Sequence, residues 1–558
     1  MLNDIVLFLK PIFDELELSD YLKVSSSDKA DYQINSVFLI SKDKHISPKE
    51  VGELITNKIN SNSLVSEYFS KVEFVLPGFI NLFVSDSLIN KHINNYIKNG
   101  FVEKTTSSDT YFLDYGGPNV AKPLHIGHLR PAIIGESIKR ILNLKGYKTT
   151  GDVHLGDYGL QIGEVIYGLK KENIPLSELN IDILNRIYPE MSKLAKEDES
   201  VYNECKRITS ELQKGNSEYK EYYAKIKSVS VSDIKRLYDY LGVSFDLWLG
   251  ESDSEPYIPK LMKELESRNL VVVDDGAKIV NVKRDTDKKE MPPVIVEKSD
   301  GSAIYATTDL ATIMERVEKY NPTNILYVVD ARQSLHFEGV FRISEMLGYT
   351  TNLEHIAFGT INGSDGKPFK TRSGETLKLD ELINNTKEIF LSKREENKNM
   401  SNADLDKIVN SIIKYADLQN NREKSYNFDI AKFSEVSGKT GPYILYSALR
   451  IRKILNTSSY TKGMVSNTIY NEIDKNLRVK ILDFNKYLDK AIEDRLPSVI
   501  AEYVYDLANL LNSFYQNINI SKIEDETMKN DYLNVLELAF NVLKECLDLL
   551  IIELPSEM

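Results

Sequence analysis

One strand–turn–helix junction limits the fold of this chain more than any other stretch. Residues 110–115 favour a β-strand, and apolar residues then recur at helical spacing from Leu129 to Leu142, until Gly146 ends the pattern. A Gly/Pro/Asn-rich turn and the tetrapeptide His-Ile-Gly-His at 125–128 lie between the two elements. Such a junction is typical of a mononucleotide-binding βα unit, because the first turn of a helix offers free N–H groups to a phosphate.

The two histidines of this junction suit chemistry at phosphorus. Gly127 has no Cβ, so a base or ribose could approach its backbone, while His125 and His128 could donate hydrogen bonds to phosphate oxygens during displacement. The alternative is that both are ordinary surface histidines, since short motifs also occur by chance. Only seven histidines occur in 558 residues, and two of them fall here, which favours the nucleotide-binding interpretation.

The composition is that of a folded chain with several domains. With 558 residues, 42% hydrophobic and 27% charged, about three or four domains are expected. No run approaches the roughly 18 apolar residues of a membrane span, and the N-terminus lacks the features of a signal peptide, so we expect a cytoplasmic protein without membrane contact. The two cysteines, Cys205 and Cys546, cannot form a metal cluster by themselves, so we expect no zinc and no disulfide. A net charge of −13 argues against general nucleic-acid coating but allows a local basic surface for one RNA.

The junction resembles the HIGH signature of class I aminoacyl-tRNA synthetases. Residues 125–128 match it letter for letter, and the flanking residues 118–123, Leu129 and Arg130 are similar to arginyl-tRNA synthetases in particular. Further segments resemble that family in the same order along the chain: 77–81, 152–163, 303–311, 327–337, 358–374, 412–418, 421–429 and 441–453. In the second of these, Tyr158 stands where the family usually has tryptophan. The resemblance covers essentially the whole chain.

The resemblance implies a multidomain α/β fold with four regions. Residues 1–105 would form a small N-terminal α+β domain that contacts tRNA, and 106–380 a Rossmann-type catalytic domain with a parallel sheet. That domain would contain a helical insertion at about 170–295, where the periodicity from 174 to 247 is itself helical. A helical connector at 381–430 and an all-α anticodon-binding domain at 431–558 would follow.

The family's arginine contacts fall on residues that could bind a guanidinium. They correspond to Asn119, His128, Tyr305, Asp309 and Gln333, with Glu251 near the substrate side chain. A guanidinium is planar and always charged, so it needs a carboxylate in bidentate reach and a group to frame it. Tyr305 and Asp309 are four residues apart and would share a helix face. From the sequence alone, Asp309 could instead cap a helix and Glu251 could be a solvated surface carboxylate. Gly117 replaces the usual serine of the family.

The resemblance implies that the ATP-binding residues come from two distant parts of the catalytic domain sequence. The ATP-binding residues would be His125, Gly127, His128, Gly359, Lys367 and Lys370. Residues 358–374 contain four glycines and two lysines, which suits a loop that closes over a triphosphate, although a solvated basic hairpin would look the same. Residues 367–370 stand at the positions of the family's degenerate KMSK motif, and Lys122 is implied to share its work. The catalytic set is therefore His125, Gly127, His128, Lys122 and Lys370. We expect Mg²⁺ only as part of the ATP substrate, with no metal ligands in the chain.

A basic, tyrosine-bearing stretch near the C-terminus is a candidate RNA surface. Residues 431–463 contain six Lys or Arg against one Glu. Unstacked bases rest on aromatic rings while cations hold phosphates. The candidate tRNA-binding residues are Arg450, Arg452, Lys453, Tyr443 and Tyr446. The alternative is an amphipathic bundle with buried tyrosines and solvated lysines.

The function implied by the resemblance is arginine–tRNA ligation. Arginine and ATP would form arginyl-adenylate and pyrophosphate, and an arginine tRNA would then accept the arginyl group with release of AMP. We expect a monomer. The alternatives are another class I synthetase, a stand-alone HxGH nucleotidyltransferase, or a catalytically silent RNA-binding homologue. The last would not be expected to keep His125, His128 and Lys370.

Overall fold

A computed structural model describes most of the chain and divides it into two compact units. The described residues are 1–27, 29–363, 366–367, 377–393 and 400–558. One unit comprises Met1–Glu103, Tyr446–Tyr487 and Tyr503–Glu545. The other comprises Lys104–Leu445, Leu488–Glu502 and Cys546–Met558.

The N-terminal hundred residues are an α+β structure. In chain order they form α1 (Leu2–Glu15), β1 (Val24–Ser26), β2 (Tyr32–Ile34), α2 (Val37–Lys44), α3 (Pro48–Asn60), α4 (Val65–Tyr68), β3 (Phe69–Val75), β4 (Phe79–Val84) and α5 (Asp86–Asn99). The strands make an antiparallel sheet in the order β1-β2-β4-β3. Ser47 and Glu50 cap α3 reciprocally, and Pro48 occupies its first position. From its composition, the run 33–40 would be predicted as one β-strand, but the strand ends at Ile34 and α2 begins at Val37. An apolar run of this length does not by itself distinguish a strand from a helix.

Residues 104–445 contain a parallel sheet, a long insertion and further helices. In chain order the elements are β5 (Thr110–Asp114), α6 (Ile126–Lys145), β6 (Lys148–Asp152), α7 (Leu160–Lys171), α8 (Ile181–Glu197), α9 (Glu199–Gln213), α10 (Ser217–Tyr240), α11 (Glu251–Ser254), α12 (Ile258–Ser267), β7 (Val271–Asp274), β8 (Ala277–Val280), β9 (Val294–Glu297), α13 (Tyr305–Tyr320), β10 (Asn324–Tyr327), α14 (Ser334–Met346), β11 (Asn352–His355), β12 (Ile361–Asn362), α15 (Leu379–Ser392), α16 (Asn402–Leu418), β13 (Tyr426–Asn427) and α17 (Ile430–Phe433).

The parallel sheet has the strand order β11-β10-β5-β6 and confirms the predicted fold class. The last residues of the strands, His355, Tyr327, Asp114 and Asp152, lie in one register row. From β5 the chain crosses to β6 on one side, whereas from β10 it crosses to β11 on the other. The loops that leave β5 and β10 therefore diverge, and ligands of open α/β sheets bind in such a crevice at the carboxyl ends of the strands.

The insertion between β6 and α13 is helical at first and then contains strands. After the helices α7 to α10, the strands β7, β8 and β9 form a small antiparallel sheet that the helical prediction for 170–295 missed. Asp275 and Gly276, between β7 and β8, have φ angles of 48° and 79°. Positive φ at two successive residues is the geometry of a tight hairpin, and Asp-Gly is its commonest sequence, so the signal was present.

The C-terminal region is helical. Its elements are α18 (Gly441–Thr457), α19 (Glu472–Leu482), α20 (Phe484–Asp494), α21 (Pro497–Asn517) and α22 (Glu526–Leu549). In the unit that includes α5 and α19, the fully buried Arg478 bonds Asp474 and Asn90, each at 2.7 Å. Cys205 and Cys546 are both buried. Within the described ranges, no helix is long and apolar enough to cross a membrane.

Candidate active site

The two histidines of the 125–128 motif are built into the start of α6. His125 is the residue before the helix, and its Nδ1 accepts a hydrogen bond from the Gly127 N–H at 3.1 Å. The Nδ1 of His128 accepts one from the His125 N–H, also at 3.1 Å. The ring centroids are 3.9 Å apart. A Cβ on Gly127 would lie 2.9 Å from Cε1 of His125, so glycine is required for this packing. The histidines are therefore organised by the helix start and are not ordinary surface side chains.

Both imidazoles are neutral at physiological pH. Burial, together with the charge of Lys122, lowers the pKa of His125. Burial, together with His125 and Lys122, lowers the pKa of His128 to about 3. A neutral imidazole carries one proton, and an Nδ1 that accepts a hydrogen bond is not protonated, so the proton lies on Nε2. Each ring thus offers an N–H donor without a net charge.

Lys122 lies beside the histidines and also contacts the insertion. Its Nζ is 5.1 Å from the ring centroid of Tyr188 on α8. The preceding Ala121 has a φ of 69°, and its N–H donates to Oγ of Ser230 on α10 at 2.9 Å. The turn that carries Lys122 is thereby held by two insertion helices.

The segment that follows the predicted phosphate loop (358–374) is bonded to the same motif. The Ile126 N–H donates to the carbonyl of Leu377, and the Leu379 N–H donates to the carbonyl of Leu124, both at 3.0 Å. At the beginning of the loop, the Gly363 N–H donates to the carbonyl of Lys367 at 2.8 Å. Lys370 lies outside the described residues. The structure therefore brings residues 377–379 to the histidine motif.

Gly359 has a structural task that the sequence did not reveal. Its N–H donates to the carbonyl of Arg422 at 2.9 Å, and its carbonyl accepts from Nη1 of Arg130 at 2.6 Å. A Cβ at this position would lie 2.6 Å from the backbone nitrogen of Ser425. Arg130 also pairs with the buried Asp417 at 2.9 Å. Both polar backbone groups of Gly359 are thus engaged within the protein, and its role towards ATP stays a prediction.

Tyr305 and Asp309 share one face of α13. The helix begins at Tyr305, and Oγ1 of Thr307 accepts a hydrogen bond from the Ile304 N–H at 3.3 Å. Asp309, in the second turn, is therefore not a helix cap. Tyr305 is 77% exposed, and Oδ2 of Asp309 lies 2.5 Å from Nε2 of His336. The phenol and the carboxylate point to a common side, one turn apart.

Glu251 reaches the same region from beside β6. The Glu251 N–H donates to the carbonyl of Leu155 at 3.0 Å, so the segment extends the edge of the sheet. Burial raises the pKa of Glu251, the charge of His154 opposes this effect, and the charges of Asp157 and Asp309 add to it. Glu251 is therefore partly buried and close to Asp309. It is not a freely solvated surface carboxylate.

A cavity of about 630 Å³ opens beside these residues. Glu251 and Tyr305 line it, together with Tyr158, Glu255 and Thr308, which were not among the predicted site residues. The hydroxyl of Tyr158 donates to Oε2 of Glu255 at 2.9 Å. The cavity is therefore lined by two carboxylates and two tyrosines, with Lys298 as a lining cation.

Asn119 and Gln333 follow the two central strands of the sheet. The segment of Asn119 pairs with Gly156, where a Cβ would lie 2.4 Å from Oδ1 of Asn119. Gln333 is exposed and lies shortly after β10. Gly117 has a φ of 48°, which favours glycine over the serine that the family usually has. Both predicted contacts thus lie beyond the carboxyl ends of neighbouring strands.

A buried ion cluster beneath the site was not predicted from the sequence. Arg316 is 1% exposed, and its Nη2 lies 2.7 Å from Oδ2 of Asp114 and 3.0 Å from Oδ2 of Asp152. His154 is 3.8 Å from Asp152. Burial works against its charged form, but Asp152 and Asp114 raise the pKa of His154 to about 9. The signal for Arg316 was its position three residues after Ile313 on the apolar side of α13.

The predicted tRNA-binding residues include one stacked group. The guanidinium carbon of Arg450 lies 4.2 Å from the ring centroid of Tyr446 and 4.9 Å from that of Tyr515, and Nη2 donates to the Tyr446 hydroxyl at 3.0 Å. Tyr515 is 44% exposed and was not in the predicted set. Lys453 is exposed, whereas Arg452 and Tyr443 are half-buried. Arg450 and its two tyrosines thus form a stacked cationic and aromatic group.

Three family models match consecutive parts of the chain. They are "Arginyl tRNA synthetase N terminal domain" over residues 4–84, "tRNA synthetases class I (R), catalytic domain" over 92–430, and "DALR anticodon binding domain" over 444–558. The arginine–tRNA ligase of Alkaliphilus oremlandii (strain OhILAs) is 39% identical over 589 residues, with 100% of both proteins covered. That of Agathobacter rectalis is 39% identical over 579 residues, with 96% of each covered.

Solved structures match the fold over its full length. The arginyl-tRNA synthetase from Plasmodium falciparum superimposes with a TM-score of 0.81 at 25% identity and covers 99% of each chain. The arginyl-tRNA synthetase of Thermus thermophilus gives a TM-score of 0.81 at 20% identity over 100% of each chain, a likeness of fold. Across the described ranges, no three His, Cys, Asp or Glu side chains are grouped so as to hold a metal ion.

Proposed function

The chain belongs to the class I arginyl-tRNA synthetase family, and from that membership we propose the roles of its individual residues. Its activity is the ligation of L-arginine to tRNA with ATP as substrate, through an arginyl-adenylate. The match to arginine–tRNA ligases over the full length decides against another class I synthetase, a stand-alone nucleotidyltransferase and a silent homologue.

The guanidinium of arginine is bound by Asp309, with Tyr305 and Glu251 beside it. Asp309 and Tyr305 lie on one face of α13, and Glu251 is close enough for the charge of Asp309 to raise its pKa. This convergence of two carboxylates and an exposed phenol is the observation that carries the proposal. A planar cation pairs with a carboxylate through two parallel hydrogen bonds and lies against an aromatic face. Asn119 and Gln333, beyond β5 and β10, bind the amino-acid end of the substrate.

ATP lies over the start of α6, where its phosphates meet uncharged donors. The Nε2–H groups of His125 and His128 donate to phosphate oxygens as the arginine carboxylate attacks the α-phosphorus and pyrophosphate leaves. Gly127 lets the nucleotide approach the helix start. Lys122, Lys367 and Lys370 offset charge on the leaving group. Lys370 precedes Leu377 by seven residues, 377 − 370, and that length of chain reaches at most about 25 Å.

The remaining proposals concern the partners of the enzyme. ATP enters as its Mg²⁺ complex, the enzyme acts as a cytoplasmic monomer, and the tRNA anticodon arm meets the surface around Arg450. Domains run from 1 to 105, 106 to 380, 381 to 430 and 431 to 558. The Tyr446–Arg450–Tyr515 stack supports the anticodon proposal, because aromatic and guanidinium faces are stacking platforms for unpaired bases.

Substitution of Asp309 tests the arginine site. We expect Asp309→Asn to weaken arginine binding by roughly 2 to 5 kcal/mol while the KM for ATP stays unchanged, because the neutral amide no longer pairs with the guanidinium. Initial rates of aminoacylation, with arginine and ATP varied in turn, give both constants. Asp300→Asn is the matched control, since Asp300 is an exposed carboxylate that bonds only its neighbour Ser302 among the described residues. Equal losses for arginine and ATP would show that Asp309 is structural.

A further inference from the structure

Asp309 has a defined partner in the structure without substrate. Its Oδ2 lies 2.5 Å from Nε2 of His336, near the start of α14. An ionised carboxylate only accepts hydrogen bonds, so Nε2 carries the proton of this bond. Each side chain keeps 27% of its surface exposed. The pair therefore borders the open site and is not part of the closed core.

The imidazole of His336 packs against the aromatic ring of Phe337. Its ring meets the ring of Phe337 edge-on, with centroids 5.4 Å apart. Phe337 is 6% exposed and packs against Tyr327 at 5.1 Å and His355 at 5.0 Å. Tyr327 and His355 end two neighbouring strands of the parallel sheet. His336 thus donates its hydrogen bond from a position that the sheet fixes.

A second carboxylate lies near Asp309 and repels it. Glu251, from α11, carries a like charge, and the charge of Asp309 is among the causes that raise the pKa of Glu251. Tyr327, from β10, has its pKa raised by burial first and by Asp309 among other groups. His154 faces Glu251 and already pairs with Asp152. His336 supplies the hydrogen bond that holds Asp309 against this repulsion.

We propose that His336 is a positioning residue for arginine recognition. The inference rests on the proposed role of Asp309. His336 fixes Oδ2 by one hydrogen bond. A carboxylate has about four lone-pair sites in all, so the others stay available to the guanidinium. Two parallel hydrogen bonds to a guanidinium require a set carboxylate plane, so orientation by His336 strengthens arginine binding and leaves ATP binding alone.

Kinetics of four variants test this coupling. We compare His336→Ala, His336→Gln, Asp309→Ala and the double variant His336→Ala/Asp309→Ala, all as full-length enzymes, with arginine and ATP varied in aminoacylation assays. Leu335→Ala is the matched control, because Leu335 precedes His336 and its side chain is 56% exposed. We expect His336→Ala to raise the KM for arginine about 10-fold, the size of one lost hydrogen bond to a charged group, with the KM for ATP unchanged.

Rescue and non-additivity separate positioning from a structural role. Glutamine keeps an N–H donor at similar reach, so His336→Gln should return the arginine KM to within about 3-fold of the parent. In the Asp309→Ala background, loss of His336 should change nothing further, because the group it positions is gone. A parental KM in His336→Ala, or additive losses in the double variant, would overturn the inference. An unchanged arginine KM in Asp309→Ala itself would instead refute the proposed role of Asp309.

Discussion

Replacement of Arg316 by methionine should destabilise the sheet at the strand ends that carry the site. Arg316 neutralises Asp114 and Asp152 at 2.7 and 3.0 Å and stacks on Phe112, with 4.7 Å from its guanidinium carbon to the ring centroid. Methionine fills similar volume without charge, so two buried carboxylates at adjacent strand ends would face each other with only His154 left as a counter-ion. Breaking a buried ion pair by removing one partner costs about 3–5 kcal/mol.

The pKa of Asp152 reflects the stabilisation that His154 and Arg316 together give its carboxylate. Burial opposes ionisation, but His154 and Arg316 hold the pKa of Asp152 to about 2, against an ordinary value of 3.8. This shift of 3.8 − 2 corresponds to about 2.4 kcal/mol at neutral pH. The carboxylate stabilises the parent above its ordinary pKa, and this contribution is lost only as the pH falls through about 2. Between pH 5.5 and 7.5 it is constant in the parent.

In Arg316→Met a pH dependence should appear within this range. The Asp152 carboxylate would be buried beside Asp114 without Arg316, so its pKa rises and protonation at pH 5.5 relieves the repulsion. We therefore expect the loss of stability in Arg316→Met, relative to the parent, to be smaller at pH 5.5 than at pH 7.5. His154 is present in both proteins. Urea unfolding at the two pH values measures it, and hydrogen exchange of peptides that cover β5 and β6 localises it.

Two further variants control this measurement. Arg316→Lys keeps the charge but loses the planar guanidinium that stacks on Phe112, so its loss of stability should be intermediate. Arg186→Met removes an arginine from the exposed pairs with Glu172 and Glu190 and should leave unfolding unchanged. A deficit below about 1 kcal/mol in Arg316→Met, or an equal deficit at both pH values, would refute the electrostatic reasoning.

Two other predictions address turnover and tRNA binding. His128→Ala should lower kcat about 100-fold with little change in the KM for arginine, because a donor to the phosphate is lost in the transition state. Pyrophosphate exchange at saturating substrates measures this rate. A parental rate in a folded variant would show that His128 is not part of the site. Arg450→Ala should raise the KM for tRNA about 10-fold and leave the KM values for arginine and ATP unchanged, since both tyrosines lose the cation between them. Filter binding over a salt series measures the affinity for tRNA. An unchanged affinity would contradict the stacking role.

Local signals in the sequence predicted the junction at the site correctly. The strand before the histidine motif, the helix after it and the stop at Gly146 depend on residues close in sequence, and the structure has β5 at Thr110–Asp114 and α6 at Ile126–Lys145. The start of α13 at Tyr305 agrees equally well. The hairpin between β7 and β8 was missed although its Asp-Gly turn was visible, because each strand is only four residues long.

The contacts that build the site are long-range, and no sequence pattern contains them. Arg316 meets Asp114 across 202 positions, 316 − 114, and His336 meets Asp309 across 27 positions from a different helix. In the sequence, each of these partners looks like an ordinary polar or charged residue. The parallel sheet creates these pairs, because it brings the carboxyl ends of its strands and the N-termini of the intervening helices to one edge.

We propose that the charges along this edge orient arginine. On the side of Asp309, Asp114 and Asp152 are paired with Arg316 and the protonated His154, and Glu251 and Asp309 add further negative charge. At the start of α6 the balance is opposite, since Lys122 is a cation and both imidazoles are neutral donors. We therefore expect a guanidinium to be attracted to one side, and the arginine carboxylate and the ATP phosphates to the other. Because burial, with His125 and Lys122, lowers the pKa of His128 to about 3, this imidazole adds no positive charge that would compete with the guanidinium for the carboxylates near Asp309.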